Sequence, residues 1–165
     1  MAGRCGRPAV WQIVWWNDTV GSSFTGYQGR GFWASDAKLE LWLYLMCREI
    51  DSRRDAPAWL REARQAWHEQ ATAGFNDCVS AALDQHVASD PARAGLLRGI
   101  AAEAISRLMA YQPAMSRDLL NSLGLGGDCT WTQDLDPATL LPIAAAFGQL
   151  LAGTLAWDAA SSPVL

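Results

Sequence analysis

Apolar residues recur three and four positions apart through the stretch DAKLELWLYLMCREID, where Leu39, Trp42, Leu43, Met46, Cys47 and Ile50 fall on one helical face. Leu41, Tyr44 and Leu45 cover most of the opposite face. A helix that is apolar nearly all round needs neighbours on at least two sides, so residues 36–52 read as the buried central helix of the fold. Ser35 or Asp36 offers an acceptor to the first-turn amides, and Arg53 and Arg54 lie at the negative end of the dipole. Leu39, Leu41, Leu43 and Leu45 also alternate as in a strand, but the length of the run and the four-residue spacing of Glu49 and Arg53 favour a helix.

The same period continues downstream. Trp59, Leu60, Ala63, Trp67, Ala71, Phe75, Cys78, Val79, Ala82, Leu83 and Val87 keep helical phase, as one long bent helix or as two helices meeting near Gly74. Ser89-Asp90-Pro91 caps the next helix, with Leu96, Leu97, Ile100, Ala104, Leu108 and Tyr111 as its stripe and Glu103 with Arg107 as a spacing-four pair. Pro113 stops it, Ser116 opens a short helix to Leu123, and Gly124 provides a left-handed cap. Residues 124–136 read as a long irregular loop. Asp136-Pro137 or Thr139 then starts a last helix that turns Leu140, Ile143, Phe147, Leu150, Leu151 and Leu155 inward.

Residues 9–34 are ambiguous. The run 9–16 (AVWQIVWW) has strand composition, Asn17-Asp18 and Gly21-Ser22-Ser23 supply turn chemistry, and residues 24–33 could pair back on it; a helix over 9–19 fits nearly as well. The expected fold is therefore mostly α. It is one compact domain over residues 1–165, a bundle of five or six helices with an irregular or β-hairpin N-terminal segment, frayed at 1–8 and 161–165.

Composition narrows the functional classes. The formal charge of −4 and the scattering of Arg among acids argue against nucleic acid as the main partner. Cys5, Cys47, Cys78 and Cys129 form no C-x-x-C pair, which suits a reducing compartment, and no stretch approaches the roughly 20 apolar residues that span a bilayer. These features point to the cytoplasm.

Familiar chemistry is sparse. On one continuous helix His68 and His86 would lie on the same side but roughly 27 Å apart. His86 would sit near a helix C-terminus, where a cation is welcome. No metal or cofactor is expected. Asp128, Thr130, Thr132, Asp134 and Asp136 alternate like calcium ligands, but the loop has Gln133 where a calcium loop needs Gly and Thr139 where it needs Glu. The segment 26–31 (GYQGRG) matches neither phosphate-binding glycine pattern and reads as a flexible connection. No G-x-S-x-G elbow is present.

Tryptophan is the unusual residue, at nine positions. Trp42, Trp59 and Trp67 lie on apolar helix stripes, whereas Trp15, Trp16 and Trp33 crowd one end and Trp131 lies in an acidic loop. Surplus aromatics beside charge are the residue types that anchor protein interfaces. The expected function is a non-enzymatic, acidic protein-binding protein, most concretely an immunity- or antitoxin-like protein occluding a basic toxin domain. Trp131, Asp128, Asp134, Asp136, Trp15, Trp16 and Trp33 would form the contact surface. The alternatives are a homo-oligomeric subunit, such as a dimer formed through the surplus aromatics, and an enzyme with an unfamiliar site near His68 and Glu69.

Overall fold

The computed structural model describes residues 21–74, 78–128 and 130–165. Its order is a hairpin, β1 (Ser22–Tyr27) and β2 (Arg30–Ser35), followed by α1 (Asp36–Asp51), α2 (Ala58–Thr72), α3 (Leu83–Val87), α4 (Pro91–Met109), α5 (Arg117–Ser122), a 3₁₀ turn (Pro137–Leu140) and α6 (Leu141–Leu151). The fold is mostly α-helical. None of the described helices is long and apolar enough to cross a membrane.

The apolar pattern of α1 has the expected consequence: Leu39, Leu41, Trp42, Leu43, Leu45, Met46, Cys47 and Ile50 are all buried, and α2, α4, α6 and both strands pack against the helix. Ser35 holds the cap position of α1, though its side chain accepts no capping bond. Trp42 and Trp67 both meet the edge of Phe147 on α6, at ring-centroid distances of 5.8 and 6.4 Å. The inward positions read for the last helix, Leu140 to Leu155, are all buried.

The phase kept from Trp59 to Val87 does not produce one helix. Gly74, at φ +70°, ends α2, and an added Cβ there would come within 2.8 Å of Gly126 O. Gly126 N and Gly127 N donate to the C-terminal carbonyls of Ala71 and Thr72, so the loop after α5 satisfies the end of α2. The chain then turns back, Trp67 Nε1 donating to Ala81 O at 2.7 Å, and α3 is only a five-residue helix.

Two spacing-four ion pairs expected within helices exchange partners between helices. Glu49 on α1 is bound by Arg107 of α4 through Nε and, at 3.3 Å, through Nη2. Arg53 Nη2 reaches both oxygens of Glu103 at 2.7 Å. Packing α4 beside the end of α1 brings opposite charges closer across the interface than along either helix.

The hairpin lies further along the chain than the sequence suggested. Residues 9–16 lie outside the described residues, and both strands fall within 22–35, joined at Gln28-Gly29. Those two residues have φ of +52° and +75°, both positive, as the two-residue hairpin turn that matches strand twist requires. The segment 26–31 is therefore this turn and its flanks. The tail, expected to fray at 161–165, instead lines the free edge of β2: Trp33 N donates to Ser162 Oγ, Leu165 N to Trp33 O and Ser35 N to Leu165 O. Pairing with the tail satisfies backbone groups that an exposed edge would leave open. Residues 1–8 lie outside the described residues.

The exchanged pairs should differ in strength, because the Glu49 side chain is 5% exposed and that of Glu103 51%. Arg107→Met should destabilise the fold by about 1–3 kcal/mol by stranding a buried carboxylate. Arg53→Met should cost under about 1 kcal/mol. Urea denaturation of the two variants measures the difference.

Candidate functional site

Alternation along β1 places different chemistry on its two faces. Ser23, Thr25 and Tyr27 point inward and are buried, whereas Phe24 and Gly26 lie on the outer face.

On the inner side Ser23 Oγ donates to Asp36 Oδ1 at 2.6 Å and accepts from Val79 N at 2.9 Å, linking strand, helix and the returning segment after α2. One helical turn beyond Asp36, Glu40 is 6% exposed. No described residue donates a hydrogen bond to it. Desolvation, and then repulsion from Asp36, pushes its carboxyl up from 4.5 to about 7. Thr25 Oγ1 is also buried without a partner among the described residues.

On the outer side Phe24 lies over the cross-strand pair Gly26 and Gly31. A Cβ on Gly31 would approach Phe24 Cζ to 2.5 Å and Thr25 O to 2.3 Å, so glycine there leaves room for the ring against the strands. Trp33 packs on Phe24 with ring centroids 5.4 Å apart, and its Nε1 donates to Ala159 O in the tail at 2.8 Å. Beside these rings runs a groove of about 540 Å³, bounded by Phe24, Gly26, Tyr27, Gly29 and Arg30 of the hairpin, by Asp84 of α3 and by residues 158–160 of the tail. Asp84 Oδ1 accepts from Gln28 N at 2.9 Å. Asp158 Oδ1 accepts from Ala160 N, Ser161 N and Ser161 Oγ, and these bonds hold its carboxyl below the usual range. Arg30 Nη1 is held by Ala156 O at 2.8 Å. Burial, Asp84 and Asp90, in that order, raise the Tyr27 hydroxyl, whose surroundings are thus negative.

The residues expected to contact a partner are dispersed. Trp15 and Trp16 lie outside the described residues, and Trp33 adjoins the groove. Trp131 is 7% exposed, and Asn121 grips its backbone, Oδ1 accepting from Trp131 N at 2.6 Å and Nδ2 donating to Trp131 O at 3.0 Å. Asp134 accepts from Arg117 N at the start of α5, and Asp136 caps the 3₁₀ turn through Ala138 N, so both carboxylates have structural work. Asp128 is exposed. Met115 and Leu135 exchange backbone bonds of 2.8 and 2.9 Å, making the acidic loop a strap tied down along its length.

The histidines also differ from expectation. His86 lies in the last turn of α3, near a helix C-terminus as expected, but it is buried and edge-on to Trp67 at 6.2 Å, its Nε2 has no partner among the described residues, and desolvation lowers its pKa against the opposing pull of Glu62. His68 is half-buried on α2, and Glu69 Oε1 accepts from Gln65 Nε2 at 2.7 Å. Among the described residues no three His, Cys, Asp or Glu side chains are grouped to hold a metal. Burial drives the Cys47 thiol up to about 12, whereas Cys78 is exposed. Sequence reasoning missed the groove because Asp84, Asp158 and Phe24 are far apart in the chain. The Gln28-Gly29 turn between Tyr27 and Arg30 was the one local signal for it. The chain matches no known family model, and no curated protein or solved structure matches it either.

Glu40 gives the fold a pH dependence of definite sign. Its folded pKa lies above its unfolded one, so the folded state binds the extra proton between pH 4.5 and 7. The stability associated with this group is fully present below about 4.5 and declines as pH rises through about 7. Glu40→Gln should therefore stabilise the protein at pH 8 by up to about 3.5 kcal/mol, each pKa unit being about 1.4 kcal/mol, and change little at pH 4. Chemical denaturation at the two pH values measures this.

Proposed function

We propose that the chain is an acidic protein-binding protein that covers a basic partner, most concretely as an immunity- or antitoxin-like protein occluding a toxin domain in the cytoplasm. The observation that carries this reading is how the charges are used. Arg53, Arg64, Arg93, Arg107 and Arg117 are engaged by acids of the same chain, and Arg30 and Arg61 donate to backbone carbonyls. Lys38, Arg48, Arg54 and Arg98 make no such contact among the described residues. The exposed carboxylates of Asp84, Asp128, Asp134, Asp136 and Asp158 have no ion-pair partner within the described chain, and what hydrogen bonds they accept come from backbone amides and a serine hydroxyl. With the formal charge of −4, the protein as a whole stays net negative, which steers a cationic partner. In the same reading the helices form a bundle about α1, which supplies the rigid support that an occluding surface needs; the contacts of α1 with α2, α4 and α6 support it.

No described contact favours the self-association or enzyme readings over this one; Val164 is the large apolar side chain most exposed among the described residues. A partner recovered from cells that express the protein should be basic, and its association rate should fall about tenfold or more between 50 and 500 mM salt. Stopped-flow association with the isolated partner measures it, and a salt-independent rate would contradict electrostatic steering.

A further inference from the structure

Three features of the groove beside the hairpin turn complement one another. The Asp84 and Asp158 carboxylates come from different elements, each held in place by hydrogen bonds that leave its negative charge in place. Phe24 supplies an aromatic wall, for which Gly26 and Gly31 leave room. Above Gly29 nothing lies within 4 Å of where a side chain would begin, so the groove is open at the turn. Its own cation, Arg30, lines the groove near Asp158, with Nη1 tethered to Ala156 O. Two carboxylates lining one groove beside an aromatic ring suit a planar guanidinium, which stacks on a ring while donating in-plane to acids.

We propose that this groove binds an arginine side chain presented by a partner polypeptide. The guanidinium lies against Phe24 and donates to Asp84 and Asp158. This rests on the basic-partner reading and names the side chain recognised. Arginine is also the charged residue most enriched among the anchors that dominate protein interfaces.

The test uses the full chain and a capped tripeptide, acetyl-Gly-Arg-Gly-amide, followed by amide chemical shifts. Shifts should move at Gly26, Gly29 and Ala159 with a dissociation constant around a millimolar. Replacing the arginine of the peptide by its neutral isostere citrulline should weaken binding at least about fivefold. Asp84→Asn and Asp158→Asn keep the amide-accepting oxygens, so each should leave the spectrum folded while weakening arginine binding about threefold to tenfold. Equal binding of arginine and citrulline, no movement at these amides, or groove shifts that depend on protein concentration without peptide, as a second copy would give, each overturn the proposal. A cellular partner that binds both Asn variants at full strength would also overturn the groove while leaving the basic-partner reading intact. Arginine binding here without any basic partner would do the reverse.

Discussion

Burying most of α1 is the constraint on which the structure depends. Its apolar residues cannot be sheltered without also taking Asp36, Glu40 and Glu49 out of water, and all three are buried. Charged groups in that position require compensation or neutralisation. Each is handled differently. Asp36 lies in the first turn of the helix, at the positive end of its dipole, and takes the Ser23 hydroxyl, which ties the hairpin to the helix. Glu49 takes Arg107, which ties α4 to the end of α1. Glu40 receives no hydrogen bond from any described residue, and its proton affinity rises instead.

The strand that closes over Asp36 carries this organisation outward. Because β1 alternates, the side that buries Ser23 and Thr25 obliges Phe24 and Gly26 to face the other way, where the tail and α3 complete the groove. The tail is held there by its pairing with β2, so the groove is made of backbone-anchored parts. The acidic loop at 124–136 serves the interior instead: its glycines end α2, Asp134 and Asp136 satisfy helix starts, and Trp131 is packed inside.

Much of the helical content was legible in the sequence because amphipathic period and capping are local. The span of α1, the Asp90 cap of α4, the Ser116 cap of α5 and the left-handed Gly124 can each be read from neighbouring residues. What was not legible depends on contacts between distant segments. The pairing of Glu49 with Arg107 and of Arg53 with Glu103 follows from helix packing, which outweighs the spacing-four rule. The break after α2 follows from the close approach of Gly74 to Gly126, even though the apolar phase continues past it. The groove was hidden for the same reason, since its acids come from α3 and the tail and become neighbours only once the hairpin has formed. The burial of Trp131 was not legible because its sequence neighbours are polar.

The most direct measurement is the ¹³C titration of the Glu40 side-chain carboxyl in the folded protein, assigned by its loss in Glu40→Gln. A midpoint near 7 is expected from a carboxyl enclosed with α1 and facing Asp36 without a donor. A midpoint at the ordinary 4.5 would mean that water or an answering donor reaches the group, and would contradict the enclosure of α1 on that side.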